Sequence, residues 1–281
     1  MPRLPLTGTL YVVATPIGNL SDVSARALEV LRSVDIVTCE DTRTTRTLLA
    51  RHGIVTSTTA LHQHNEQAAA AKLIDALRAG KTVALVSDAG TPALSDPGAL
   101  LVAQAHRARI RVSPVPGPSA AAAALSVAGF PAGAFFFAGF LPASPAARQK
   151  ALERLDLEVP LVLYEAPHRI AGTLEALAAH FGAAREVLVG RELTKKFEEV
   201  ARMPLGEASA WLAASPERSR GEFVLVLAPG ERRRERVAPD PDKVLAILAS
   251  ALSPSEAARL AARITGEPKR ELYRKALRLP K

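Results

Sequence analysis

The sequence predicts an α/β protein: two α/β domains followed by a small C-terminal helical region that is helix-turn-helix-like. Three observations carry that expectation. Strand-like and helix-like runs alternate with short connections, as in a parallel, doubly wound sheet. The run Thr82–Ser87 reads as a strand that such a sheet buries on both faces. After residue 229 the composition shifts, because the last stretch, from Gly230, holds 13 of the 36 basic side chains but only 7 of the 28 acidic ones. The expected boundaries are a parallel-sheet domain at 1–115, a second α/β domain at 116–229, a basic linker at 230–241 and a helical region at 242–281.

The elements follow in order. Leu10–Ala14 is an apolar, β-branched first strand, and "SDVSARALEVLRSV" is a helix with Ser21 as its expected N-cap and Ala27, Leu28, Leu31 and Val34 on one face. Ile36–Cys39 is a second strand, "TTRTLLARHG" a helix ending at Gly53, and "NEQAAAAKLIDALRAG" another helix closed by glycine. After the strand at 82–87 come the helix "PGALLVAQAHRARI" and the strand Arg111–Pro114. The second half is predicted to hold a helix at 119–128, strands at 135–140, 160–165, 186–190 and 222–228, and helices near 145–155, 168–181 and 204–214. Three helices at 242–250, 254–264 and 267–277 finish the chain, opened by Asp242, by Ser253 with Pro254 and Glu256, and by Gly266 with Pro268.

Composition narrows the function classes. With 48% hydrophobic and 23% charged residues the chain is globular, and a net charge of +8 points to an anionic partner such as nucleic acid, a membrane surface or an anionic metabolite. The single cysteine, Cys39, allows no intrachain disulfide and reads as a small buried residue; His62 and His64 do not make a zinc pattern. "MPRLPLTG" is too short and too polar for a signal peptide, and the uncharged run Ser119–Leu141 is broken by Gly129, Pro131, Gly133 and Gly139. A soluble, cytoplasmic protein is expected.

Three stretches begin where a predicted strand ends: "ATPIGN", "SDAGTPALSDPG" and "PVPGPSAA". In an open parallel sheet, loops at strand carboxyl ends converge on a ligand crevice. None carries a phosphate-cradling glycine fingerprint. Gly90 and Gly98 permit close backbone approach, and Ser119 opens a helix whose free N–H groups favour an acceptor.

The stretches "LYVVATPIGNL", "CEDTRTTRTLL", "HQHNE", "VALVSDAGTPALSDPG", "PVPGPSA", "FFFAGFLP", "YEAPHR", "RELTKKFEE" and "GEFVLVL" occur in that order. Together they resemble the tetrapyrrole methylase superfamily. Within it they look like the bacterial branch that methylates the ribose 2′-oxygen of a cytidine in small-subunit ribosomal RNA. The resemblance runs through the C-terminal "EAARLAARITGEPKRELYRKAL". Departures are small: Met203–Pro204 stands where the family tends to place a glycine, and Ala128 where serine is common.

The resemblance implies S-adenosylmethionine in the cleft between two domains of the tetrapyrrole methylase type. A sulfonium, an amino-acid tail and an adenosine need shaped backbone and apolar contact, which suits a Pro-Ile-Gly loop. It implies cofactor contacts at Thr15, Pro16, Ile17 and Gly18; at Asp88, Gly90, Thr91, Pro92, Leu94 and Ser95; at Ser119 and Ala120; and at Tyr164 and Glu222. The implied substrate is 16S ribosomal RNA or the small ribosomal subunit, at the decoding region, with a homodimer as the working form and no metal. A tetrapyrrole C-methyltransferase and a non-catalytic ribosome-assembly protein are the alternatives.

A ribose hydroxyl is a weak nucleophile, so a base or a cation stabilising the alkoxide is expected. Polar, turn-like stretches offer Glu40, Asp41 and Arg43; His64, Asn65 and Glu66; Glu165, His168 and Arg169; and Arg191, Glu192 and Lys195. Asp41, Arg43, Glu66 and Arg169 are the catalytic candidates, in positioning or in proton transfer. Arg232, Arg233 and Arg234 in the linker, with Lys269, Arg270 and Arg274 on the last helix, are the RNA-contact candidates, since clustered positive charge suits phosphate.

Overall fold

In the computed structural model, residues 8–155, 158–230 and 240–279 are described. The chain divides into two units, residues 1–230 and 231–281.

The first sheet contains β1 (Thr9–Val13), β2 (Ile36–Cys39), β3 (Thr58–Ala60), β4 (Val83–Leu85) and β5 (Arg111–Val115). Its order is β3-β2-β4-β1-β5, with every neighbour parallel. The intervening helices are α1 (Ala25–Ser33), α2 (Thr42–Arg51), α3 (Glu66–Arg78) and α4 (Ala99–Arg107). Side chains alternate across β4: Val83 and Leu85 pack with Leu73, Leu77 and Leu101 on one face, while Ala84 and Val86 pack with Leu31, Val37 and Cys39 on the other. From β1 the chain leaves toward β2, and from β4 it leaves toward β5, in opposite directions along the sheet. The crevice between β1 and β4 is therefore the switch point where an open sheet accepts ligands.

The second sheet contains β6 (Phe136–Phe140), β7 (Leu161–Glu165), β8 (Glu186–Arg191), β9 (Glu199–Pro204) and β10 (Phe223–Leu227), in the order β6-β7-β10-β8-β9. Only β6 and β7 run parallel; the other pairs are antiparallel. The alanine-rich α5 (Ala120–Ala128) covers one face through Ala121, Ala124 and Ala128 against Val162, Leu188 and Val226. Leu152 of α6 (Pro145–Leu152), Leu174 of α7 (Ile170–Phe181) and Leu205 of α8 (Leu205–Ala213) belong to the core on the other face. The uncharged run 119–141 is thus α5, a turn and β6, and no helix among the described residues is long and apolar enough to cross a membrane.

Among its described residues the second unit holds three helices, α9 (Pro241–Ala249), α10 (Pro254–Thr265) and α11 (Lys269–Ala276), around Leu245, Ala257, Ala261, Leu272 and Ala276. Ser253 Oγ caps α10, and Gly266, at φ 79°, ends it in the left-handed conformation before the turn into α11.

Some expectations are corrected. Ser24, not Ser21, caps α1, accepting the Ala27 N–H at 3.1 Å; Ser21 lies in a short 3-10 turn capped by Asn19. Asp240 rather than Asp242 caps α9, and Asp242 instead pairs with Lys275 at 2.6 Å. The edge strands β3 and β9 were not expected. The first is only three residues long, and the second mixes glutamate, arginine and proline, so neither shows strand periodicity.

Candidate functional site

The three strand-end loops are stitched together mainly by backbone atoms. Thr15 is buried, and its N–H donates to Gly90 O at 2.9 Å while Gly90 N–H returns a bond to Thr15 O at 3.1 Å. Thr15 Oγ1 also donates to Ser87 O at 3.1 Å. This joins the loop after β1 to the loop after β4. Gly90 adopts φ 83°, and a Cβ there would lie 3.2 Å from Ile17 Cγ2. Thr91 Oγ1 donates to Pro118 O at 3.1 Å, tying the second loop to the third. Ser119 then caps α5.

The second sheet closes the arrangement. Tyr164 on β7 accepts the Ala121 N–H at 3.2 Å, and burial raises its phenol above the usual range. Ala93 and Ser95 hold left-handed backbone, at φ 65° and 64°, which L-residues adopt at a cost. Gly139, at a bulge in β6, makes room for the Ser95 side chain, since a Cβ there would lie 2.5 Å from Ser95 Oγ.

These loops enclose a cavity of about 330 Å³. Nine expected cofactor residues line it: Ile17, Gly90, Thr91, Leu94, Ser95, Ser119, Ala120, Tyr164 and Glu222. Thr15, Pro16, Gly18, Asp88 and Pro92 stand behind or beside its wall. Thr15 is the stitch just described, and Gly18 leaves space for the Lys195 stem, whose Cγ would be 2.3 Å from a Cβ at that position. Asp88 Oδ1 accepts the Asp41 N–H at 3.0 Å.

The wall also includes Asp96, Phe140, Glu165, Leu193 and Lys195. Glu165 and Lys195 were among the wider polar candidates. Asp96 fell inside the second ligand stretch without being singled out, and Phe140 was read as part of a strand. The signal for Phe140 was Gly139, whose bulge turns the strand. Burial, then the charge of Glu40, raises the Asp96 carboxyl to about 6; the Ser87 hydroxyl opposes the rise and Asp88 adds to it. Glu40 is itself raised, by burial and then by Asp88. Lys195 Nζ bonds Glu192 at 2.8 Å and Glu222 at 2.9 Å; burial pulls its ammonium down, and these two partners reverse that to leave it raised.

None of the four catalytic candidates lines the cavity; Glu66 and Arg169 hold neighbouring segments, while Arg43 is exposed and, among the described residues, pairs only with Asp41. Asp41 caps α2 and pairs with Arg43 at 2.6 Å, a contact that holds its carboxyl down at about 2. Glu66 Oε1 accepts the Gly98 and Leu100 N–H groups at 2.9 and 3.3 Å, capping α4 from another helix. Arg169 pairs with Glu165 at 3.0 Å and donates to Leu141 O. In the second unit Lys269, Arg270 and Arg274 are exposed on α11 and form no ion pair among the described residues. Arg232, Arg233 and Arg234 lie outside the described residues.

Residues 9–209 match the sequence pattern of the tetrapyrrole (corrin/porphyrin) methylases. The chain belongs to that family. Residues 235–280 match a second pattern, the RsmI C-terminal HTH domain. This methylase is 48% identical over 280 residues to the ribosomal RNA small subunit methyltransferase I of Mesorhizobium japonicum, covering 99% of this chain and 95% of that protein. It is 49% identical to the protein of the same name from Xylella fastidiosa, strain Temecula1, covering 95% and 98%. Among solved structures it is similar to the uroporphyrin-III C-methyltransferase of Thermus thermophilus complexed with S-adenyl homocysteine. That likeness has a TM-score of 0.56 at 18% identity, covering 79% of this chain and 97% of the other, and speaks for the fold alone.

Proposed function

We propose that this chain transfers the methyl group of S-adenosylmethionine to the ribose 2′-hydroxyl of a cytidine in 16S ribosomal RNA, at the decoding region. The observation that carries the reading is the near-half identity to ribosomal RNA small subunit methyltransferases I along both the methylase region and the basic helical end. The cavity fits the cofactor's chemistry: an aromatic and aliphatic wall for an adenosine, with carboxylates for a cationic sulfonium and ammonium. Asp41, Glu66 and Arg169 act in this reading by fixing the loops and helix starts rather than by moving protons, and Arg43 acts through Asp41. The exposed Lys269, Arg270 and Arg274 meet RNA phosphates. The working form is a homodimer in the cytoplasm, and the exposed Phe135, Phe136 and Phe140 at the β6 edge of the second sheet support a partner-covered surface.

The test is transfer of labelled methyl from S-adenosylmethionine to naked 16S RNA, to small subunits lacking the modification, and to a tetrapyrrole precursor. Label on a cytidine ribose after nuclease digestion is the expected result. Label only on the tetrapyrrole overturns the reading, and sedimentation of the pure protein as a monomer removes the homodimer from it.

A further inference from the structure

In the second unit, α11 is fixed in its rotation about its own axis. Leu272 and Ala276 sink into the core of the unit, and Lys275 Nζ bonds Asp242 of α9 at 2.6 Å. Residues four apart on a helix share a row. Lys269, Tyr273 and Leu277 therefore form one exposed row, and Arg270 and Arg274 form the next. Glu271, the acidic residue of α11, lies on the far side, where its charge acts on Lys275. Tyr273 is 40% exposed and Leu277 60%, and the tyrosine hydroxyl has no hydrogen-bond partner among the described residues.

The outer face thus joins three cations without ion pairs to a flat aromatic ring. Cations alone suffice to hold phosphate. The ring asks for a ligand with a face of its own. A helix-turn-helix reads DNA by laying its second helix in a wide major groove. Paired RNA closes that route, because its major groove is deep and narrow. What RNA offers instead is an unpaired base, whose π-face is open for stacking on a side chain.

We infer that Tyr273 is a stacking platform for one unpaired base of the RNA, with Lys269, Arg270 and Arg274 holding the phosphates beside it. The inference rests on the RNA substrate proposed above and narrows it: the helical unit grips a single-stranded or looped-out nucleotide, not a duplex. The tyrosine hydroxyl is left to bond an oxygen of the same nucleotide or of its neighbour.

The test uses the full-length protein and two variants. Tyr273→Phe keeps the ring, and Tyr273→Leu keeps apolar bulk without it. The probes are a single-stranded RNA of about twelve nucleotides and a fully paired RNA duplex of the same length. Filter binding at several salt concentrations gives affinity and salt slope, and circular dichroism follows thermal unfolding. Tyr273→Leu is expected to bind the single strand roughly tenfold more weakly, with the slope unchanged because no phosphate contact is lost. Tyr273→Phe should stay within about threefold of the parent, and duplex affinity should move by less than about twofold in either variant. Equal single-strand affinity in the parent and Tyr273→Leu would overturn the inference, as would an equal loss on the duplex. A lowered melting temperature in Tyr273→Leu would make the ring a packing element, and altered sedimentation would make the face a contact between copies; either outcome also overturns it. A parent that binds the single strand yet methylates no RNA removes the proposed function and leaves this contact standing. A parent that methylates RNA while both variants bind as it does removes the contact alone.

Discussion

Removing the Glu165 carboxylate should unsettle the protein well beyond the loss of one contact. Its side chain is wholly buried. It accepts the Ala166 N–H at 2.8 Å and the Thr173 hydroxyl at 2.6 Å, and it pairs with Arg169 at 3.0 Å. Arg148 reaches the same cluster, donating to Thr173 Oγ1 at 3.1 Å. In Glu165→Ala the Arg169 guanidinium, with 17% of its side chain exposed, keeps the Leu141 carbonyl but loses its counter-charge. Breaking a buried pair from one side costs about 3–5 kcal/mol. At roughly 2–4 °C per kcal/mol for a unit of this size, the melting temperature should fall by about 6–20 °C. Thermal unfolding followed by circular dichroism measures the drop, and a cycle with Arg169→Ala locates its source. The double variant should lose much less than the sum of the singles, because removing both charges leaves no buried ion alone. A fall under about 2 °C for Glu165→Ala, or simple additivity in the cycle, refutes the reasoning.

Three further outcomes are expected. Gly90→Ala places a side chain in left-handed backbone at a cost of about 1 kcal/mol and presses on Ile17; calorimetry should show a several-fold weaker affinity for S-adenosylmethionine. The Asp96 carboxyl, raised from 3.8 to about 6, binds its proton more tightly in the folded state than in the unfolded chain. Stability is therefore lost as the pH rises through that window, so Asp96→Asn should melt above the parent at neutral pH, with the gain shrinking as the pH falls toward 3.8. Arg270→Ala and Arg274→Ala should each lower the salt dependence of RNA binding by about one unit of log–log slope, read from filter binding at several salt concentrations.

The parallel half of the fold was legible because its physics is local. Strands buried on both faces read as apolar runs, as Val83–Leu85 does, and glycines mark several helix ends, as Gly53 and Gly80 do. The three ligand loops were legible as interruptions at strand ends. The second sheet was less so, since β9 lies at an edge where arginine and glutamate are tolerated. The family resemblance pointed to Ile17, Gly90 and Tyr164, and all three line the cavity. The site was not readable where partners decide a contact. Glu66 looks the same in sequence whether it meets substrate or caps α4, and only the position of Gly98 distinguishes the two. Asp96 sits in a legible ligand loop, but its burial beside Glu40 depends on loops distant in the sequence.

The position of β10 constrains how the chain is made. Among the described residues this strand is the last of ten to be synthesised, yet it occupies the middle of its sheet between β7 and β8. Until Phe223–Leu227 emerges from the ribosome, β7 and β8 each present a bare inner edge, with nothing to keep them from pairing elsewhere. The nascent protein also lacks the Glu222–Val224 part of its cavity wall. Its first ligand must therefore wait until almost the whole methylase region has been translated.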